Sequence, residues 1–150
     1  MKLRLSMQAQ GCYQMRMGHS IESFHGKSAI IHDLDLLAVI AFAVDVLQDP
    51  TGFPHLGALT EAWRSIPRGY GPGVIDLKLE ELLQTPAHVE EFAALLDRIS
   101  ARLKEYPGTI PAAWLNSSVG AASRIAFNDF KASFAIEAVE KLRALVAATA

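Results

Sequence analysis

The stretch DLDLLAVIAFAVDVLQ occupies residues 33–48 and is followed directly by Asp49 and Pro50. Its apolar side chains fall on nearly every side of a helix of 3.6 residues per turn, which is typical of a helix buried in a core. Several of these residues are β-branched, so a buried strand is the alternative. Pro50 lacks a backbone N–H and disfavours helical angles at Asp49, and the element is therefore expected to end there.

Upstream of this stretch the chain has the pattern of short strands. Apolar and polar residues alternate between Leu3 and Met17, which is typical of strands with one buried and one exposed face. A three-residue turn at 10–12 keeps the apolar side chains on one face and predicts a hairpin. Residues 21–25 are expected to add a third short strand that ends at Gly26. A sheet of this size is not stable alone, and helices must therefore cover its apolar face.

Downstream, breaks rich in proline and glycine separate predicted helices. A short helix is expected over 55–66, followed by a loop over 67–73. Residues 74–84 suit a strand and a helix equally well. Thr85 and Pro86 form a typical helix start.

The long helix that begins there is expected to run as far as Tyr106, and its apolar stripe consists of Val89, Phe92, Leu96, Ile99, Leu103 and Tyr106. A short helix around Trp114 and a polar loop over 116–118 follow. A last helix over 129–148 is expected to bury Phe134. The sequence thus predicts an α+β fold in which a small antiparallel N-terminal hairpin packs against about four to five helices.

Length and composition limit the classes of protein to consider. The chain has 150 residues, of which 51% are hydrophobic and 20% charged. These values predict a single globular domain spanning 1–150 and exclude a disordered chain, a coiled coil and a collagen-like repeat. The lone Cys12 excludes an intrachain disulfide, and no apolar run is long enough to span a membrane. A soluble, cytoplasmic protein is expected.

Charge is distributed unevenly along the chain. The formal net charge is −2, so a nucleic-acid binder that acts through an overall basic charge is not expected. Residues 28–97 carry a net charge of −8, and the two flanking regions together carry +6. One interpretation is an acidic surface that attracts a basic partner. The alternative is that solvated acidic helix faces pair with the basic flanks of the same chain.

Short motifs of catalytic or metal-binding proteins are incomplete. The tripeptide Gly26-Lys27-Ser28 matches the end of a phosphate-binding loop, but Ile21 stands where that loop needs its first glycine. The five histidines have no metal-ligand spacing and no cysteine cluster beside them. Isolated surface histidines are the expected outcome, without a metal or a cofactor.

Residues 30–35, IIHDLD, resemble the first motif of haloacid-dehalogenase-type phosphatases, in which an Asp-x-Asp pair follows an apolar strand. The resemblance implies a nucleophile and partial Mg²⁺ ligand at Asp33 and an acid/base catalyst at Asp35. Leu36 and Leu37 depart from the family pattern, and no later predicted strand ends in the acidic pair that completes its metal site. The simpler interpretation is that these aspartates cap a helix or stabilise its N-terminus.

Three features of the first third of the chain carry a second resemblance: the opening strands with Gly11-Cys12-Tyr13, the tripeptide Phe24-His25-Gly26, and the run over 32–50. In these features the chain resembles immunity proteins of bacterial contact-dependent growth inhibition systems. The resemblance implies a cytoplasmic, non-catalytic protein that binds one cognate toxin domain and blocks its active site or substrate surface. Many such toxins are nucleases with basic clefts, which suits an acidic partner.

Under this hypothesis the protein's chemistry is that of an interface. Acidic side chains raise the association rate, and a few desolvated anchors, aromatic ones above all, supply affinity. The expected partner-binding residues are Tyr70, Asp76, Glu80, Glu81, Glu90, Glu91 and Asp97. The alternatives are the phosphatase and a structural or homo-oligomeric module.

Overall fold

The computed structural model describes residues 18–66, 75–119 and 128–147. The hairpin predicted between Leu3 and Met17 and the loop predicted over 67–73 lie outside these residues.

The first described element is a tight β-hairpin. Strand β1 (His19–Phe24) pairs antiparallel with strand β2 (Lys27–His32). The two turn residues between them, His25 and Gly26, have φ values of 50° and 79°. Positive φ at both positions is what a type I′ turn needs, and that turn matches the twist of the paired strands. The strand predicted over 21–25 is present as His19–Phe24 and ends before Gly26, whereas its partner β2 is not predicted from the sequence.

Helices form most of the remaining structure. In the described ranges the further elements are α1 (Asp33–Val46), a 3₁₀ turn (Leu56–Leu59), α2 (Thr60–Ser65), α3 (Leu79–Leu82), α4 (Pro86–Leu103), β3 (Thr109–Ile110), α5 (Ala112–Val119), β4 (Phe130–Lys131) and α6 (Ala132–Ala147). The short strands β3 and β4 pair antiparallel. This is the predicted α+β class, with a small hairpin on a helical bundle.

Helix α1 is the centre of the core, as its sequence predicts. Its middle residues are buried on all sides, and α2, α4, α5, α6 and β2 pack around it. The Phe42 ring lies against the rings of Tyr106 and Trp114. The helix ends at Val46, shortly before the break at Pro50. The strand alternative for this stretch is therefore wrong.

The cap of α1 differs from the prediction. His32 is the N-cap, and its Nδ1 accepts a hydrogen bond from the Leu34 N–H at 3.4 Å. Asp33 and Asp35 lie in the first turn, where a negative charge interacts favourably with the helix dipole. Thr85 does cap α4, as predicted, and Pro86 is in its first turn.

Three local predictions are corrected. Residues 116–118 lie within α5 and do not form a loop. Helix α6 begins at Ala132, because Phe130 pairs in β4. Phe134 is 44% exposed, because it lies at the margin of the buried face of α6, which includes Ala135, Ala138 and Leu142.

Candidate protein interface

Strand β1 reverses the usual arrangement of polar and apolar side chains. Ser20 and Glu22 face the core together with Phe24, and Glu22 is only 1% exposed. Ile21 lies on the opposite face and is 62% exposed. A buried carboxyl must find hydrogen-bond partners, because burial without them costs several kcal/mol.

The partners of these buried side chains come from the segment before α3. The Ile75 N–H donates to Ser20 Oγ at 3.1 Å, and the Leu77 N–H donates to both carboxyl oxygens of Glu22 at 3.2 Å. Ser20 Oγ in turn donates to Asp33 Oδ1 at 2.5 Å, at the start of α1. Through these bonds the hairpin fixes the position of residues 75–77.

Burial also changes the titration of Glu22. Desolvation raises its pKa to about 7, although the Leu77 N–H acts in the opposite direction. The nearby charges of Asp76 and Asp33 raise the pKa further. Between pH 4.5 and about 7, Glu22 therefore keeps a proton that an ordinary glutamate has released.

Residues 75–82 present acidic side chains on a segment that is anchored in the core and bonded to β1. Ile75 and Leu77 are buried and alternate with exposed residues, an extended arrangement that continues into the helical turn α3. Lys78 connects the two parts with a left-handed backbone (φ 53°), and its N–H donates to Asp76 Oδ1 at 2.8 Å. Leu79 and Leu82 anchor α3 in the core.

The exposed carboxylates of Asp76, Glu80 and Glu81 form what we call the acidic ridge. The ridge separates two surface cavities. One, of about 450 Å³, lies between the ridge and α2 and is lined partly by His55 and Trp63. The other, of about 280 Å³, lies between the ridge and β1. We call it the β1 groove. Asp76 and Glu81 border both cavities.

Glu90 extends the acidic surface beyond the ridge. It borders a further cavity of about 230 Å³ together with His25 of the hairpin turn. The His25 N–H donates to Glu80 Oε1 at 2.9 Å, which joins this cavity to the ridge. Four of the predicted binding residues, Asp76, Glu80, Glu81 and Glu90, are thus brought onto one continuous surface.

The other predicted binding residues are not part of that surface. Glu91 is half-buried and accepts hydrogen bonds from the backbone N–H groups of His55 and Leu56, the latter at 2.5 Å. Asp97 forms an ion pair with Arg143 of α6. Tyr70 lies outside the described residues.

An exposed apolar pair, of which Ile21 borders the β1 groove, was missed from the sequence. Ile21 of β1 and Ile30 of β2 are direct cross-strand partners and are 62% and 58% exposed. The sequence did contain a signal for this pair. Ile21 and Phe24 are three positions apart, and side chains an odd number of positions apart lie on opposite faces of a strand. What the sequence did not reveal was which of the two faces is buried.

Four of the five histidines occur in two pairs, which corrects the expectation of isolated residues for those four. His55 and His88 stack with ring centroids 3.6 Å apart, and His55 Nε2 lies 2.6 Å from the Leu82 carbonyl oxygen at the end of α3. His19 and His32 meet edge to face at 5.0 Å. No cluster of His, Cys, Asp or Glu suited to a metal ion occurs in the described ranges.

The two aspartates of the phosphatase motif lie in different surroundings. Asp33 is fully buried, and its Oδ1 accepts from Ser20. Asp35 is half-buried; burial, with a contribution from the Glu137 charge, raises its pKa to about 6. The strand before Asp33 belongs to an antiparallel hairpin, so the pair is not presented at the edge of a parallel sheet.

Comparisons with protein-family models, with curated proteins and with solved structures found no match. Among the described residues, no helix combines the length and the apolar character needed to cross a membrane.

Proposed function

We propose that this protein is a non-catalytic, cytoplasmic, immunity-type protein that binds a cognate toxin domain through its acidic surface and thereby neutralises it. The observation that carries the proposal is the convergence of the acidic ridge and Glu90 on one exposed surface. An arrangement of this kind attracts a basic partner over a distance set by the ionic strength. The exposed pair Ile21 and Ile30 supplies apolar area beside those charges, and apolar area is what an interface core needs.

The chemistry of the partner follows from that of the surface. The segment that bears the ridge carries the three carboxylates of the ridge and a single basic residue, Lys78. A partner rich in lysine and arginine fits this balance, and the basic cleft of a nuclease domain is one such surface. Covering that cleft excludes its nucleic-acid substrate without any reaction by the immunity protein.

The proposal predicts a gene for a large secreted protein beside the gene for this chain. Expression of the C-terminal domain of that protein should stop bacterial growth, and co-expression of this chain should restore it. The variant Asp76→Lys/Glu80→Lys/Glu81→Lys should protect poorly. The matched control Glu61→Lys/Glu105→Lys/Glu140→Lys makes the same charge change at exposed positions outside the ridge and should protect like the wild type.

Continued toxicity in the presence of the wild-type chain would contradict the proposal. Equal protection by the ridge variant would refute the acidic surface as the binding site. Protein levels and thermal unfolding of each variant show whether a loss of protection reflects a loss of folding.

A further inference from the structure

The hydrogen-bond register of the hairpin determines which backbone groups of β1 point outward. The Asp33 N–H donates to the Gly18 carbonyl at 2.8 Å. Cross-strand pairs alternate between hydrogen-bonded and non-hydrogen-bonded in an antiparallel ladder. The pairs Ile21–Ile30 and Ser23–Ser28 are therefore of the non-hydrogen-bonded kind. Their N–H and C=O groups point away from the partner strand.

The two edges of the hairpin differ. On the β2 edge, the Ile30 carbonyl accepts a hydrogen bond from Lys141 Nζ at 3.2 Å. On the β1 edge, no hydrogen bond to the backbone of Ile21 or Ser23 is formed within the described part of the chain. An edge with free donors and acceptors is a template for another strand.

The β1 groove runs along this edge. Its strand wall consists of Ile21 and Ser23, and its opposite wall consists of the acidic ridge together with Lys78 and Leu79. Because the Ile75 and Leu77 N–H groups bond to side chains of β1 and not to its backbone, the ridge segment does not itself occupy the edge. Among the described residues, the groove thus has unbonded backbone groups of β1 on one side, and three carboxylates with one ammonium group on the other.

We propose that the β1 groove binds an extended, lysine- or arginine-rich segment of a partner protein, which adds to β1 as a third strand. Main-chain hydrogen bonds to Ile21 and Ser23 would give affinity, as in other cases of strand addition. Alternate side chains of an added strand point to opposite faces. One set packs beside the exposed Ile21, and the other set, which is basic, reaches the carboxylates of the ridge. The inference rests on the proposed function, since it names the part of the partner that the acidic surface binds.

The test uses the full chain and a short capped peptide in which lysine alternates with valine. Amide hydrogen exchange and chemical shifts measured by NMR should show that the peptide protects the Ile21 and Ser23 amides. A peptide with glutamate in place of lysine, and a lysine peptide N-methylated at alternate amides, should leave those amides unchanged.

Two variants separate the backbone contacts from the charge contacts. Ser23→Pro removes a donor on the β1 edge, where proline is tolerated in strands, and should weaken peptide binding about fivefold. Ser28→Pro is the matched control. It removes the corresponding donor on the β2 edge, and, like Ser23→Pro, it removes the contact between the Ser23 and Ser28 hydroxyls. This variant should bind the peptide normally. Asp76→Asn/Glu80→Gln/Glu81→Gln should weaken binding about tenfold at low salt.

Several outcomes would overturn the inference. One is protection of the Ile21 and Ser23 amides in the chain without peptide, because the edge would then be occupied by the chain itself or by a second copy. Another is equal binding of the N-methylated peptide. If Ser23→Pro binds the toxin domain normally but the ridge variant does not, the strand inference fails and the proposed function stands. If both variants bind the toxin domain normally, both proposals fail.

Discussion

Glu22 shows how one buried residue organises the candidate interface. Its carboxyl lies beneath the hairpin and accepts the Leu77 N–H, which holds the segment that bears the acidic ridge. An apolar residue at this position would leave that N–H without its partner. The ridge is therefore coupled to the hairpin through a side chain whose charge depends on pH.

The raised pKa of Glu22 predicts that the free energy of unfolding falls as the pH rises from 4.5 to about 7. Between pH 4.5 and about 7, the folded chain holds a proton on Glu22 that the unfolded chain has released. Each pH unit in that interval therefore lowers the free energy of unfolding by up to about 1.4 kcal/mol. Asp35, with a pKa raised to about 6, acts in the same direction. His32, with a lowered pKa, acts in the opposite direction at acidic pH.

Glu22→Gln isolates the contribution of Glu22 from those of the other groups. The glutamine oxygen still accepts the Leu77 N–H, but the side chain does not titrate. Urea unfolding at several pH values between 5 and 8 should show a shallower loss of stability for this variant than for the wild type. Equal slopes for the two proteins would contradict the buried, protonated state of Glu22.

At the scale of elements, helix α1 explains why part of the fold is readable from sequence. An apolar run closed by Asp49 and Pro50 predicts a buried element locally, and Thr85 with Pro86 predicts the start of α4 in the same way. The buried face of β1 is different, because the backbone N–H groups that donate to Ser20 and Glu22 are 55 residues away in the chain. The alternation of polar and apolar residues along a short segment does not reveal hydrogen-bond partners so far away in the chain.

Two phenylalanines test the assignment of the core. Phe42 is fully buried in α1, so Phe42→Ala should lower the free energy of unfolding by about 3–5 kcal/mol through lost packing and a cavity. Phe134 is exposed and contacts Phe130 and Lys131 near the surface. Phe134→Ala should cost about 1 kcal/mol or less. Urea unfolding of both variants provides the comparison, and similar losses would contradict the placement of α6.

At the scale of the whole molecule, the sequence identifies the acidic region but not its arrangement. The excess of acids over 28–97 predicts an acidic surface, and four of the predicted residues do share one. The sequence could not show that Glu91 and Asp97 lie apart from these four residues. Only the fold brings Glu91 to the backbone N–H groups before α2 and brings Asp97 to Arg143. Charge alone does not distinguish a solvated carboxylate from one already engaged within the chain.

The most direct test of the acidic surface is the association rate of this chain with the toxin domain, measured by stopped-flow fluorescence over a range of salt concentrations. Wild-type association should be fast at low salt and fall steeply as salt is added. Asp76→Asn/Glu80→Gln/Glu81→Gln should associate more slowly and with a shallower salt dependence, whereas Glu61→Gln/Glu105→Gln/Glu140→Gln should behave like the wild type. An unchanged rate and salt dependence in the ridge variant would contradict the account.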